Sequence, residues 1–333
     1  MNYIRHKLNP AWYHGHGRKA PYFEGWYFKI INAAEDRRYA FIPGVFINAD
    51  SSKTHAFIQV LDGMAGTAAY HRYGNFEATP NAFDIRIGES YFRQDRIVLN
   101  IADELGSVSG ELRFKDQTPW PVTVTSPGFM GWYGWLPNME CNHGVLSFDH
   151  AIEGSLEING EVVDFNGGRG YIEKDWGQSF PSGYVWIQSN HFETPHTSIT
   201  ASIASVPNVG REFAGFTVGL WHENALYRFA TYNNSHLDKL EVTDTHVEWH
   251  LHNAQHELHL SATRAEGGLL LGPQREDMHM RVDETMKSSI DVALFSLDGV
   301  RRIPLFSGTG RNAALEVVNF NNVERLAKRL LPK

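Results

Sequence analysis

The chain has one cysteine, Cys141, in 333 residues. That excludes an intrachain disulfide, suits a reducing compartment and sets the expectation of a cytoplasmic protein. No stretch of about 18 consecutive apolar residues occurs, so no membrane-spanning helix is predicted. The opening, "MNYIRHKLNPAWYHGHGRKAPYF", lacks the apolar core of roughly 7–15 residues that a secretory signal needs. Basic charge is scarce too: 30 Lys and Arg face 38 Asp and Glu, a net −8. With no basic block or stripe to neutralise phosphates, nucleic acid is excluded as a partner. Nucleotide and hydrolase motifs are missing: there is no G-x-x-x-x-G-K-[ST] and no G-x-S-x-G, and "GGRG" is not set between a strand and a helix. "HELH" at 256–259 is not H-E-x-x-H. His246, His250, His252, His256 and His259 read instead as the outward face of a hairpin, so no metal or cofactor is expected.

Aromatics are plentiful: 13% of the chain, with nine tryptophans. Five of them, Trp26, Trp132, Trp135, Trp176 and Trp186, fall in three short segments. The dominant pattern has period 2. Phe83, Ile85 and Ile87 alternate with Asp84 and Arg86; Leu112 and Phe114 alternate with charged neighbours; Val247, Trp249 and Leu251 alternate with Glu248, His250 and His252. Such alternation marks half-buried antiparallel strands. Asp62-Gly63, Asn159-Gly160 and Asp298-Gly299 supply the positive φ that tight hairpins demand. The one clear helix is C-terminal, where Val323, Leu326, Ala327 and Leu330 form a stripe opposite Arg325, Lys328 and Arg329. It is expected to pack on the fold, with peripheral membrane contact left open. Some twenty strands overfill one open sheet. Two tandem antiparallel barrels are therefore predicted, residues 1–167 and 168–333, divided at the glycines of "FNGGRG".

Three segments interleave acids with aromatics. "YFEGWYFK" (22–29) surrounds Glu24 with Trp26 and Tyr27. "GFMGWYGWLPNMECNHGVLSFDH" (128–150) gathers Trp132, Glu140, Cys141, His143 and His150. Cys141 and His143 stand two apart along a strand, a poor nucleophile–base geometry, so Cys141 reads as a small hydrophobe and His143 as a donor or relay. His150 reads as a half-exposed strand position. "GRGYIEKDWGQSFPSGYVWIQSNHF" (168–192) sets Glu173 and Asp175 among Trp176, Tyr184, Trp186 and Asn190. An acid desolvated among rings keeps its proton to higher pH, and ring faces stabilise a cation by roughly 0.5–2 kcal/mol each. On composition alone, a structural ion pair of Glu173 or Asp175 with Lys174 or Arg169 explains the same residues slightly better.

In order and at this spacing, the three segments resemble the tocopherol cyclase family, particularly its bacterial branch. The resemblance runs from about residue 20 to beyond 310. It implies two lipocalin-like barrels related to those of carotenoid hydratases, with a short C-terminal helix. It also implies protonation of a prenyl double bond, the cation being captured by a phenol oxygen, or by water in the hydratases. Established cyclases resemble "EKNWG" where this chain has "EKDWG"; an uncharged amide serves at position 175, which favours Glu173 as the proton donor. The expected machinery is thus Glu173, Asp175 and His143 as catalytic groups. Glu24, Trp26, Tyr27, Trp132, Glu140, Trp176, Trp186 and Asn190 are expected to bind a small lipophilic or prenylated substrate. The alternative is a non-catalytic carrier of a lipid, isoprenoid or pigment.

Overall fold

The computed structural model describes residues 3–137, 139–208, 211–299 and 301–331. Alternation becomes strand wherever it occurs: Ile85 and Ile87, Leu112 and Phe114, and Val247, Trp249 and Leu251 are all buried, with their neighbours turned outward. Asn159-Gly160 forms the expected two-residue hairpin, with φ of 51° and 84°. Asp62-Gly63 does not. There the left-handed residue is Gly66 (φ 71°), and the Asp62 carboxylate instead accepts hydrogen bonds from the Met64 and Ala65 amides at 2.8 and 2.9 Å. The side chain closes a wider loop by acting as a turn acceptor.

The first compact unit comprises Met1–Phe180 and Gly268–Arg281. Its strands are β1 (Tyr22–Ile31), β2 (Arg38–Ile47), β3 (His55–Asp62), β4 (Thr67–Tyr73), β5 (Phe76–Ala78), β6 (Asp84–Ile87), β7 (Ser90–Arg93), β8 (Arg96–Asp103), β9 (Gly106–Lys115), β10 (Cys141–Ile158), β11 (Glu161–Asp164) and β12 (Gly168–Gly177). They pair antiparallel in the order β4-β3-β2-β1-β12-β10-β9-β8-β7-β6-β5, with β11 on β10. The sheet curls until its far ends meet. His71 on β4 bonds Asp103 at the end of β8 (2.7 Å), and the Tyr73 ring sits over Gly88 in the β6–β7 turn. Inside lies one apolar cluster that includes Trp26, Phe28, Phe92, Leu112 and Ile172. Rings pack through it: Trp26 stacks on Phe83 (5.5 Å) and Phe28 on Phe114 (5.9 Å), and Phe114 meets His150 at a tilt (4.5 Å). His150, expected half-exposed, is a core residue at 1% exposure, admitted by the missing side chain of Gly170.

The second unit comprises Pro181–Gly267 and Val282–Lys333. Its strands are β13 (Tyr184–Ser189), β14 (Ser198–Asn208), β15 (Arg211–His222), β16 (Ala225–Ala230), β17 (His236–Val242), β18 (His246–His252) and β19 (His256–Thr263). Next in the chain come β20 (Gly268–Gln274), which belongs to the first unit, β21 (Asp277–Asp298), whose first residues do too, and then β22 (Arg301–Val318). The order is β16-β15-β14-β13-β22-β21-β19-β18-β17, with β20 on β21. The helix over Phe320–Ala327 buries Val323, Leu326 and Ala327 in the same cluster as Trp249 and Phe216, as its stripe predicts. The fold is therefore all-β, two large curled antiparallel sheets with a short C-terminal helix.

The division differs from the expected one at residue 168. β12 is a central strand of the first sheet, so the unit ends at Phe180, and Gly268–Arg281 returns to it. "FNGGRG" is the tight return between β11 and β12, with Gly167 left-handed (φ 74°). Glycine runs mark turns and linkers alike. The returning segment is held by Gln59, whose side-chain amide donates to the Leu271 carbonyl (3.0 Å) and accepts from its amide (2.8 Å).

Candidate active site

Side chains alternate faces along a strand, and that parity sorts the expected site residues. On β12, Ile172, Lys174 and Trp176 face the apolar interior, and Tyr171, Glu173 and Asp175 face the opposite side. β1 and β10 flank β12, with Tyr27 opposite Glu173 and His143 opposite Asp175. Pairing thus fixes two sites, one on each face of the same three strands.

On the interior face, Lys174 and Glu24 are fully buried and form an ion pair at 2.5 Å. Glu24 also accepts from the His14 amide (2.9 Å) and the Tyr22 hydroxyl. The Lys174 ammonium donates to the Pro10 and Trp12 carbonyls and lies 2.9 Å from His14 Nδ1. The rings of Trp26 and Trp176 sit 4.9 and 4.7 Å from it, and His14 stacks on Trp176 at 4.7 Å. Burial depresses Lys174 to about 8, and burial beside that ammonium depresses His14 to about 4. Burial opposes ionisation of Glu24, but Lys174 and His14 outweigh it and hold the carboxyl below its ordinary value. Every polar group here is matched to a partner, which makes the cluster an anchor for the segment Pro10–His14. Glu24, Trp26 and Trp176, expected as substrate contacts, all lie in this cluster. Of the two cations weighed from the sequence, Lys174 pairs with Glu24 and Arg169 with Asp149, each at 2.5 Å.

The other face holds a chain of proton-transfer groups. His143 Nδ1 lies 2.9 Å from Asp175 Oδ1, and its Nε2 lies 3.5 Å from Glu173 Oε2. The Tyr171 hydroxyl donates to Glu173 at 2.6 Å. Glu173 is 5% exposed and Tyr171 fully buried. The Phe129 ring packs edge-on against the imidazole at 4.6 Å, and the His143 amide lies 3.2 Å from the Met130 sulfur. Asp175 thus favours the tautomer with hydrogen on Nδ1, leaving Nε2 as an acceptor toward Glu173. Cys141 sits 3.9 Å from Asp175; burial, with that carboxylate beside it, pushes the thiol well above its ordinary value. This disfavours the reactive thiolate.

Among the described residues, His143, Glu173 and Asp175 could also hold a metal ion, their donor atoms lying within 4.8 Å of one another, and Glu241, His246 and Glu248 form a second such group. In the second, Lys239 already bridges both carboxylates at 3.1 and 2.6 Å. In the first, the imidazole presents a different nitrogen to each acid, Nδ1 to Asp175 and Nε2 to Glu173.

Of the other expected residues, Tyr27 is buried on the Glu173 face. Glu140, just before β10, pairs with Arg275 at 2.8 Å. Trp132 is 47% exposed on a short 3-10 turn. Trp186 and Asn190 are buried in the second unit. The Glu173 cluster includes one group that sequence reasoning missed, Tyr171. Its signal was available: on a strand it shares a face with Glu173 and Asp175.

Residues 78–318 match the model of the family described as tocopherol cyclase-like. The chain belongs to the tocopherol cyclase-like family. Within it, the chloroplastic tocopherol cyclase of Zea mays is 21% identical, over 92% of this chain and 76% of that protein. The probable chloroplastic tocopherol cyclase of Oryza sativa subsp. japonica is likewise 21% identical, over 92% and 77%. Among solved structures, CghA with Sch210972 superposes with a TM-score of 0.54 at 8% identity, covering 90% of this chain and 88% of that one. A putative AttH from Nitrosomonas europaea gives 0.51 at 11%, covering 88% and 91%. At such identities the structures establish the tocopherol cyclase-like chain's lipocalin-like fold alone.

Proposed function

We propose that the protein is a cyclase or hydratase that protonates a carbon–carbon double bond of a prenylated, lipophilic molecule, with Glu173 as the acid. The observation that carries this reading is the Asp175–His143–Glu173 chain on one face of β10 and β12. The names of the maize and rice relatives point the same way. In the step proposed, the Glu173 carboxyl proton moves to one alkene carbon, whose π pair forms the new C–H bond and leaves a tertiary cation. A phenol oxygen of the same molecule, or water, supplies the pair for the C–O bond. The proton it releases returns to the Glu173 carboxylate, directly or through Nε2 of His143. Asp175 stabilises the imidazolium, and the Tyr171 hydroxyl steadies the carboxylate. Tyr27, on the same face, lines the substrate's approach.

Incubation with prenylated hydroquinones, followed by chromatography and mass spectrometry, tests the reading. Ring closure appears as an isomer of unchanged mass, hydration as a gain of one water. Glu173→Gln is expected to remove activity, and His143→Ala to lower kcat by roughly 10²–10⁴-fold. If native mass spectrometry shows unaltered ligand retained by a protein that turns over none of these compounds, the protein is a carrier. If chelator abolishes turnover and metal analysis finds an ion that His143→Ala loses, the three residues are metal ligands.

A further inference from the structure

Two stretches of the first unit share an unusual surface. Residues 117–139 contain no charged side chain, and residues 1–23 contain Arg5, Lys7, Arg18 and Lys19 with no acid, although the whole chain carries −8. The fold joins them. The Tyr3 hydroxyl donates to the Trp135 carbonyl (2.6 Å), and the two rings lie 6.2 Å apart. Trp135 Nε1 in turn donates to the Val124 carbonyl (2.8 Å). Trp132 and Trp135 stand three residues apart in a 3-10 turn, which places them on one side. Tyr3, Ile4, Val124, Trp132 and Leu136 are all exposed, at 52, 57, 68, 47 and 37%. An exposed cluster of two aromatics and three aliphatics is too large to be an accident of surface composition.

Cations border it. Arg5 is exposed over the Trp12 ring at 5.7 Å, and Lys7 lies 5.4 Å from the Tyr3 ring. Exposed Arg18 stands close enough to Lys7 for its charge to be felt there. Amphipathic rings beside basic side chains match the two layers of a bilayer interface, headgroup phosphate and upper acyl chain. A protein partner would meet this same positive patch, but exposed rings set beside cations on a chain of net −8 fit an anionic lipid interface more directly. We infer that the 117–139 loop and the N-terminal segment form a docking surface for a lipid bilayer rich in anionic headgroups. The same loop carries Phe129 and Met130 to His143, so the docked surface is continuous with the element beside the acid. The inference itself rests on exposure and charge, and stands whether or not the acid chemistry does.

Flotation with vesicles of phosphatidylcholine, with and without phosphatidylglycerol, tests it on the whole protein without any activity assay. The wild-type protein is expected to float with the anionic vesicles and much less with the neutral ones. Trp132→Ser, and separately Arg5→Glu with Arg18→Glu, are expected to raise the lipid needed for half-binding about five-fold or more. All three residues are exposed, so unchanged far-ultraviolet circular dichroism and an unchanged unfolding midpoint confirm folding in the variants. Wild-type protein that ignores anionic vesicles overturns the inference, as do variants that bind like the wild type. Self-association abolished by Trp132→Ser, with no vesicle binding, would assign the patch to a second copy of the chain instead.

Discussion

At the scale of single residues, one strand carries two opposite chemistries through alternation alone. Lys174, facing in, is bound on all sides; Glu173 and Asp175, facing out, meet an imidazole. The interior histidines set the acid limb of stability. Burial depresses His150 to about 3, and burial beside Lys174 depresses His14 to about 4. As pH falls below about 6.5 the unfolded chain binds protons at these sites that the folded chain refuses. Stability therefore falls with pH, from near 6.5 down to about 3 for His150, by on the order of 4 kcal/mol. His150→Phe is expected to flatten this limb, as read from denaturant midpoints across the range. How much of the site was legible at this scale follows from the same parity. Glu173, Asp175 and His143 were readable because each sits in a strand whose alternation is local. That Glu24 lies on the opposite face was not, because it depends on which strand β1 pairs with and in what register. Lys174 was readable as a cation but not as the partner of an acid 150 positions earlier.

Among the elements, β12 is pinned from within. Its ammonium fastens Pro10–His14 and Glu24 to the strand that presents Glu173 and Asp175. Lys174→Met would leave Glu24 buried without its main partner and is expected to cost about 3–5 kcal/mol of stability, measured by urea unfolding. Combining it with Glu24→Gln is expected to recover much of that loss, because the stranded charge is gone. β10 bends where its register against β12 shifts, between Val145 and His150. Further along, Gly154 holds a φ of 119°, and a Cβ there would lie 2.2 Å from the Glu111 carbonyl. Gly154→Ala is expected to destabilise by about 1–3 kcal/mol, seen in the same unfolding experiment. The strands and the C-terminal helix were legible because period and stripe are local signals. The wide loop after Asp62 and the return of Gly268–Arg281 to the first unit were not, since each depends on a side chain, Asp62 or Gln59, bonding backbone beyond the reach of any pattern.

For the molecule as a whole, family and fold agree with the chemistry of the Glu173 face without fixing it, since folds of this kind host many functions. No helix among the described residues is long and apolar enough to cross a membrane; the exposed aromatic surface of the first unit is the proposed meeting point with lipid. The central claim is that Glu173 delivers a proton to carbon, and solvent labelling reads this directly. Turnover of a prenylated hydroquinone in deuterium oxide is expected to place one carbon-bound deuterium in each product molecule formed by the wild-type protein, with no labelled product from Glu173→Gln. Product that forms without carbon-bound deuterium, or labelled product made by Glu173→Gln at the wild-type rate, would contradict it.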